Sequence, residues 1–166
     1  KFNFHQISTG ELLRNEIKKK SEIGIKISSI INSGKLVSDK LVSDLIEKFI
    51  SDKTFKNRLI FDGYPRNLDQ AINLDDLLKN NDQKIEIVLK LSVSLGTIKK
   101  RILERKDQEK RADDTEEVAI KRYETYENSI KPVIAYYEKS KLLKVINGEA
   151  PIAEISREIS DIIKGI

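Results

Sequence analysis

Residues 59–66 read Leu-Ile-Phe-Asp-Gly-Tyr-Pro-Arg, a short apolar run followed by a turn that carries a carboxylate and a guanidinium. The apolar run predicts a β-strand, and Gly63 and Pro65 are typical of the turn after it. In a parallel α/β sheet, ligands bind beyond the carboxyl ends of the strands. We therefore predict that Asp62 holds Mg²⁺ through water and that Arg66 binds a phosphate. A strand-to-helix turn without a ligand is the alternative.

The rest of the chain alternates short β-like runs with helical stretches. Strands are predicted over 4–7, 58–62, 85–91 and 142–147. Apolar residues at helical spacing lie between them, and this alternation predicts an α/β fold with helices packed on a mostly parallel sheet. Residues 8–52 carry helices without a strand, and 106–113 are predicted to be a solvated loop or flap. Residues 114–137 predict a long helix, bent or broken at Pro132.

Composition excludes several classes of protein. The length of 166 residues suits one domain. The chain has 31 lysines and arginines against 27 aspartates and glutamates, which gives a net charge of +4. Because this small excess is spread along the chain, no nucleic-acid partner is expected. The chain has no Cys and one His, so we expect no structural zinc and infer a reducing, cytoplasmic location. The longest apolar run, 133–137, is far shorter than the roughly 18 residues of a membrane span.

Residues 6–14, Gln-Ile-Ser-Thr-Gly-Glu-Leu-Leu-Arg, allow two interpretations. Ser8 and Glu11 have the spacing of a capping box at a helix N-terminus. A helix N-terminus also attracts anions, and Arg14 could add a fixed cation there. Capping and anion binding both remain open at this point.

Four arginines form a second candidate group in the C-terminal half of the chain. They are Arg101, Arg105, Arg111 and Arg122, with Asp113 and Asp114 between the last two. A solvated surface of ion pairs explains any one of them. Phosphoryl transfer, however, requires several cations around the oxygens of the moving group, which favours a shared site.

Taken together, these motifs resemble the adenylate kinase family of nucleoside monophosphate kinases. The matching segments are 8–14, 34–39, 62–66 with Gln70, Arg101 with Arg105, 111–114, Arg122 and 147–148. They cover essentially the whole chain in the family's order. The resemblance implies a P-loop NTPase-like parallel sheet flanked by helices. It also implies one domain over 1–166, with a helical NMP-binding region at 8–37 and a short lid at 104–114.

The resemblance also implies a role for individual residues. The AMP site would contain Thr9, Arg14, Lys35, Leu36, Val37, Gly63, Tyr64, Arg66, Gln70, Arg111 and Arg122. ATP would contact Arg101, Arg105 and Ala150, and the catalytic cations would be Arg66, Arg101, Arg111 and Arg122. Gln70 suits adenine because one amide both donates and accepts hydrogen bonds. The implied reaction transfers the γ-phosphoryl group of ATP to AMP and gives two ADP, with Mg²⁺ as cofactor, in a monomer.

One departure from the family pattern is large. The family begins with a strand, a Gly-x-x-x-x-Gly-Lys phosphate loop and a helix, and that motif occurs nowhere in the 166 residues. Its strand would lie between those predicted at 58–62 and 85–91. We therefore expect an N-terminally truncated chain that is inactive alone but keeps part of the AMP pocket. Another monophosphate kinase, specific for UMP or CMP, and a non-catalytic AMP-binding module are the alternatives.

Overall fold

The computed structural model describes residues 2–32, 37–109 and 115–166, and of residues 106, 107 and 109 it describes the backbone alone. The described part forms four short strands and seven α-helices. In chain order they are β1 (His5–Ser8), α1 (Thr9–Lys18), α2 (Glu22–Asn32), α3 (Asp39–Ile50), a 3₁₀ turn (Lys53–Phe55), β2 (Leu59–Asp62), α4 (Leu68–Asn80), β3 (Val88–Ser92), α5 (Leu95–Glu109), α6 (Glu116–Lys139), β4 (Leu143–Asn147) and α7 (Ile152–Lys164).

The strands form two parallel pairs. β1 pairs with β2, so that Ser8 lies opposite Asp62 at their carboxyl ends. β3 pairs with β4, and there Ser92 lies opposite Asn147. Among the described residues no ladder joins β2 to β3, and this is the interval where the resemblance places a further strand. The predicted α/β class with parallel strands is confirmed.

The long helix predicted around Pro132 does not break there. α6 continues from Glu116 to Lys139 with Pro132 inside it. The proline removes one backbone hydrogen bond, whereas Val133 and Tyr137 on the following turns are almost completely buried. Burial of these side chains stabilises the helix beyond the proline, so a break at Pro132 is wrong, whereas the alternative of a bend there stays a prediction.

The charged segment after Arg105 also differs from the prediction. The solvated loop predicted over 106–113 is helical through Glu109, because α5 continues to that residue. Lys, Glu and Gln have good helix propensity, so a run of charged residues extends the helix rather than ending it. Residues 110–114 lie outside the described part of the chain.

Helix α4 connects two hydrophobic clusters. Leu74 and Leu78 pack into the first cluster, together with residues of α1, α2, α3 and the β1–β2 pair. Ala71 packs into the second cluster with Val133 and Tyr137 of α6. Because α4 begins directly after the turn at residues 63–67, these two clusters fix the position of that turn.

Candidate active site

The site begins where β1 and β2 end side by side. Thr9 follows β1 and is buried, and its Oγ1 donates a hydrogen bond to the backbone oxygen of Gly63, 3.1 Å away. Gly63 has a φ of +70°, a conformation that glycine adopts without strain. A Cβ placed on Gly63 would lie 3.0 Å from the Nη2 of Arg66 and 3.4 Å from Thr9 Oγ1. Glycine at position 63 therefore lets the threonine and the arginine side chains both lie close to the backbone of the turn.

The capping-box interpretation of Ser8 was wrong. Ser8 is the N-cap residue of α1 but makes no side-chain capping hydrogen bond. It still belongs to the β1–β2 ladder, opposite Asp62, and its backbone is extended. The anion-binding interpretation of this helix start stays a prediction.

A small cavity lies at these strand ends. Six of the residues predicted for the AMP site line it, namely Thr9, Val37, Gly63, Tyr64, Arg66 and Gln70. Leu13 and Val42 add apolar walls. Lys35 and Leu36, also predicted for this site, lie outside the described residues. The structure thus brings into one cavity side chains that are up to 61 positions apart in the sequence.

A buried amide forms one wall of the cavity. Gln70 is 3% exposed, its Oε1 accepts from the backbone N–H of Arg66 at 2.7 Å, and its Nε2 donates to Oδ1 of Asp39 at 2.6 Å. Asn67 caps α4 by accepting from the backbone N–H of Gln70 at 2.8 Å, and its Nδ2 donates to Oδ2 of Asp39 at 2.9 Å. Each oxygen of Asp39 therefore accepts a hydrogen bond from a different side-chain amide. One amide belongs to Asn67, the N-cap residue of α4, and the other to Gln70 in the first turn of that helix.

The sequence analysis did not identify Asp39 as a site residue. Asp39 is the last residue of the segment 34–39, which was used only to support the resemblance. A signal was present, because Asn67 directly precedes a helix and is a favoured N-cap. When the side-chain oxygen of Asn67 caps the helix, the side-chain nitrogen still requires an acceptor. The sequence does not identify that acceptor.

Three guanidinium groups interact electrostatically at the strand ends. The pKa of Arg66 is lowered, first by burial and next by the positive charge of Arg122; Arg14 contributes in the same direction, and Asp62 opposes it. The Nε of Arg66 donates to the backbone oxygen of Gly63 at 2.6 Å. Three cations that lie close enough to interact favour the binding of an anion such as a phosphate.

Comparison with known proteins decides the family. A family model described as adenylate kinase matches residues 1–142. An adenylate kinase from Pelagibacter ubique is 38% identical over 99% of this chain and 89% of its own length. One from Bifidobacterium longum is 39% identical over 95% of the chain and 85% of its own length. The chain belongs to the adenylate kinase family.

Membership in the adenylate kinase family confirms the predicted recognition, the predicted fold class and the enzyme class, because the family consists of phosphotransferases. A third relative, the adenylate kinase of Porphyromonas gingivalis, is 37% identical over 98% of this chain and 84% of its own length. In the part of the chain that the structure describes, none of the helices has the length and apolar character needed to cross a membrane.

The predicted metal-binding carboxylate lies at the end of β2. Asp62 is exposed, and its Oδ2 accepts a hydrogen bond from the Nε2 of Gln6 at 3.0 Å. The described residues contain no cluster of three or more His, Cys, Asp or Glu that could enclose an ion. Mg²⁺ usually keeps several waters and needs only one or two carboxylates besides the phosphates of its substrate. A single exposed carboxylate fits this type of site.

Two of the three residues predicted for ATP lie at the second strand pair. The Nη2 of Arg101 donates to the backbone oxygen of Gly148 at 2.8 Å, in the loop between β4 and α7 that also contains Ala150. Arg105 lies one turn further along α5 on the same helix face. The structure therefore places Arg101 and Ala150 at one loop, whereas Arg14, Arg66 and Arg122 interact at the first strand pair. Arg111 lies outside the described residues, so convergence of all the predicted arginines stays a prediction.

Glu149 fixes this loop to α5 and was also missed by the sequence analysis. Its carboxylate accepts from the Ser94 backbone N–H at 2.6 Å and from the Thr97 hydroxyl at 2.6 Å. These hydrogen bonds, that of Thr97 first, lower the pKa of Glu149. Glu149 follows β4 by two residues, and its partners belong to the start of another helix, so only the fold brings them together.

Proposed function

We propose that this chain serves the reversible transfer of the γ-phosphoryl group of ATP to AMP, which gives two ADP. The observation that carries the proposal is the cavity at the ends of β1 and β2. It is lined by a guanidinium that interacts electrostatically with two others and by a buried side-chain amide. Cations bind a phosphate and an amide pairs with a base edge, so the groups that line this small cavity suit the phosphate and the base of a nucleoside monophosphate.

The arginines supply positioning and charge neutralisation. The phosphate of AMP would be held by Arg14, Arg66, Arg111 and Arg122, while Arg101 and Arg105 would contact the phosphates of ATP. An AMP phosphate oxygen forms the new bond to the γ-phosphorus as the bond to the β,γ-bridging oxygen breaks, and ADP leaves. Such a transfer needs in-line positioning and stabilisation of charge rather than a covalent enzyme intermediate. Asp62 would hold Mg²⁺ through water, and the ion would neutralise charge on the ATP phosphates.

The remaining predicted residues would shape the AMP pocket and the ATP loop. Gln70 would pair with adenine, and Thr9, Lys35, Leu36, Val37, Gly63 and Tyr64 would line the nucleoside. The backbone around Ala150 would contact ATP. We assign residues 8–37 to an NMP-binding region and 104–114 to a short lid within a single domain. We also propose that the protein is a monomer in the cytoplasm and that its ligands are ATP, AMP and ADP.

The 166 residues alone are proposed to bind AMP without turning it over. They contain no Gly-x-x-x-x-Gly-Lys loop, whose backbone and lysine hold the ATP phosphates in proteins that have it. In a coupled assay for ADP formation, the purified 166-residue chain should therefore give no turnover above background. Robust turnover would refute this part of the proposal.

The proposed activity is tested by calorimetry with AMP on the 166-residue chain and by the coupled assay on the product of the complete gene. We expect saturable AMP binding and ADP formation from ATP and AMP. Arg66→Met should weaken AMP binding at least tenfold, since a charge-assisted hydrogen bond is worth roughly 1.5–3 kcal/mol. Arg157→Met, an exposed arginine on α7, is the matched control and should change nothing.

Two other outcomes would redirect the assignment. Stronger transfer to UMP or CMP than to AMP would identify a different monophosphate kinase. AMP binding by the complete gene product without phosphoryl transfer would instead identify a non-catalytic AMP-binding module.

A further inference from the structure

Two side-chain amides at the start of α4 converge on one carboxylate. The nitrogen of Gln70 donates to one oxygen of Asp39 and the nitrogen of Asn67 donates to the other. Each amide oxygen accepts a backbone N–H, that of Arg66 for Gln70 and that of Gln70 for Asn67. All four hydrogen bonds are between 2.6 and 2.9 Å long.

This arrangement fixes the polarity of the Gln70 amide. A backbone N–H can only donate, and a carboxylate can only accept. The oxygen of Gln70 must therefore face Arg66 and its nitrogen must face Asp39, since the reverse orientation would oppose donor to donor and acceptor to acceptor. The usual ambiguity between the two ends of a side-chain amide does not arise at this position.

The fixed amide has hydrogen-bonding capacity beyond these two contacts. An amide nitrogen has two donors and its oxygen has two lone pairs, and Gln70 uses one of each on Asp39 and Arg66. Gln70 also lines the cavity with Thr9 and Gly63. A base that enters the cavity can thus meet an acceptor and a donor side by side, in an order that the protein has already determined.

The order matters because 6-amino and 6-oxo purines have opposite edges. Adenine presents an N6 donor beside the N1 acceptor, which complements the oxygen and nitrogen of Gln70. Hypoxanthine presents an O6 acceptor beside an N1 donor, so it would meet Gln70 in the mismatched order. A mismatch leaves buried polar groups without partners, which is the costly case in recognition.

We propose that Asp39 determines base specificity by holding the Gln70 amide in the orientation that accepts a 6-amino purine and rejects a 6-oxo purine. This inference rests on the proposed function, because Gln70 must face the base of a nucleoside monophosphate. Asp39 is a positioning residue that acts through Gln70 rather than by contact with the ligand. A purely structural role in joining α3 to α4 would change the affinity for both purines equally, whereas positioning changes their ratio.

The variant Asp39→Asn tests the proposal with little change in size. Asparagine has one acceptor oxygen and one donor nitrogen, so it can satisfy only one of the two amides and opposes the other. In calorimetric titrations of the 166-residue chain with AMP and with inosine monophosphate, we expect the preference of the variant for AMP to fall about tenfold, the effect of losing one well-made polar contact.

Two further variants test whether the effect depends on the acceptor character of residue 39 and on its position in α3. Asp39→Glu keeps a group that only accepts, and should retain more of the AMP preference than Asp39→Asn. Asp44→Asn makes the same chemical change at an exposed position on α3 and should leave both affinities unchanged. The titrations are made on variants whose far-ultraviolet circular dichroism matches that of the unsubstituted chain.

The outcomes distinguish this inference from the proposed function. Failure of the unsubstituted chain to bind AMP would overturn both. AMP preference in the unsubstituted chain that persists within about twofold in Asp39→Asn would overturn only the role of Asp39. If Asp39→Asn does not fold, the NMR signals of the Gln70 side-chain NH₂ in the unsubstituted chain decide: we expect protection from hydrogen exchange, and rapid exchange of both protons would overturn the proposal.

Discussion

Replacement of Gly24 by alanine should loosen the packing of α1 against α2. Gly24 is buried in the first turn of α2, where this helix packs against the end of α1. A Cβ placed there would lie 2.1 Å from the backbone oxygen of Glu16 and 2.7 Å from the backbone nitrogen of Ile17. Backbone atoms cannot rotate away as a side chain can. α2 would have to move by more than about 1 Å to restore an ordinary van der Waals distance.

The expected change in the free energy of unfolding is the difference between two opposing contributions. Overpacking of a well-packed interface costs typically about 1–3 kcal/mol, and alanine is better than glycine within a helix by up to about 1 kcal/mol. The movement also disturbs the buried side chains of Leu13 and Ile27, which belong to the same cluster. We expect the free energy of unfolding to fall by about 1–2 kcal/mol, or roughly 2–8 °C in Tm for a chain of this length.

Urea unfolding followed by circular dichroism measures this difference. The matched control is Gly96→Ala in α5, where the nearest atom to a new Cβ is Ser94 Oγ at 3.9 Å. At this position the alanine meets no backbone, so the stability should stay equal or rise slightly. The packing interpretation is refuted if Gly24→Ala unfolds within about 0.5 kcal/mol of the unsubstituted chain, the usual range for surface substitutions.

Three further predictions concern the site and the buried hydroxyls. Arg66→Met removes a cation that Arg122 repels, so the Tm of the ligand-free chain should be retained in thermal unfolding. The rise in Tm that AMP produces should become smaller, because the variant binds AMP more weakly; an undiminished rise would contradict the assignment. Burial, with a smaller contribution from Asp39, raises the pKa of Tyr64 to about 12, so the folded state keeps a proton that the unfolded state loses above pH 10. Stability should therefore fall between pH 10 and 12, by at most about 1.4 kcal/mol per pH unit from this group, and urea titrations of Tyr64→Phe should show a shallower decline. The hydroxyl of Tyr137 is buried with no hydrogen-bond partner among the described residues. Tyr137→Phe should therefore leave the free energy of unfolding unchanged or raise it by up to about 1 kcal/mol in the same urea assay. Clear destabilisation would contradict this expectation, because it would mean that the hydroxyl has a partner.

Local signals in the sequence predicted the strand pairs well. The segment 58–62 has an apolar centre at 59–61 and is followed by a glycine, so β2 (Leu59–Asp62) lies almost where it was predicted. The strand predicted over 85–91 begins three residues before β3 (Val88–Ser92) does, because Ile85 packs in both hydrophobic clusters without belonging to β3. Hydrophobic periodicity reports burial, and a residue can be buried before its strand begins.

The candidate site was predictable only where its residues belong to a local pattern. Gly63 and Arg66 directly follow a strand, and Gln70 was recovered by the resemblance. Asp39 and Gln70 are 31 positions apart, and only the packing of α3 against α4 brings them together. No local pattern identifies such a pair, because the hydrogen bond is a product of tertiary structure.

The geometry of Arg66 links phosphate binding to base recognition in the proposed reaction. Its guanidinium interacts with those of Arg122 and Arg14, while its backbone N–H holds the oxygen of Gln70. Like charges this close repel one another, so an anion that binds among them relieves part of that repulsion. A phosphate that draws in the side chain of Arg66 also constrains the backbone that orients Gln70. Because one residue serves both contacts, we expect phosphate and base to bind cooperatively, so adenosine should bind more tightly in the presence of saturating inorganic phosphate than in its absence when measured by calorimetry.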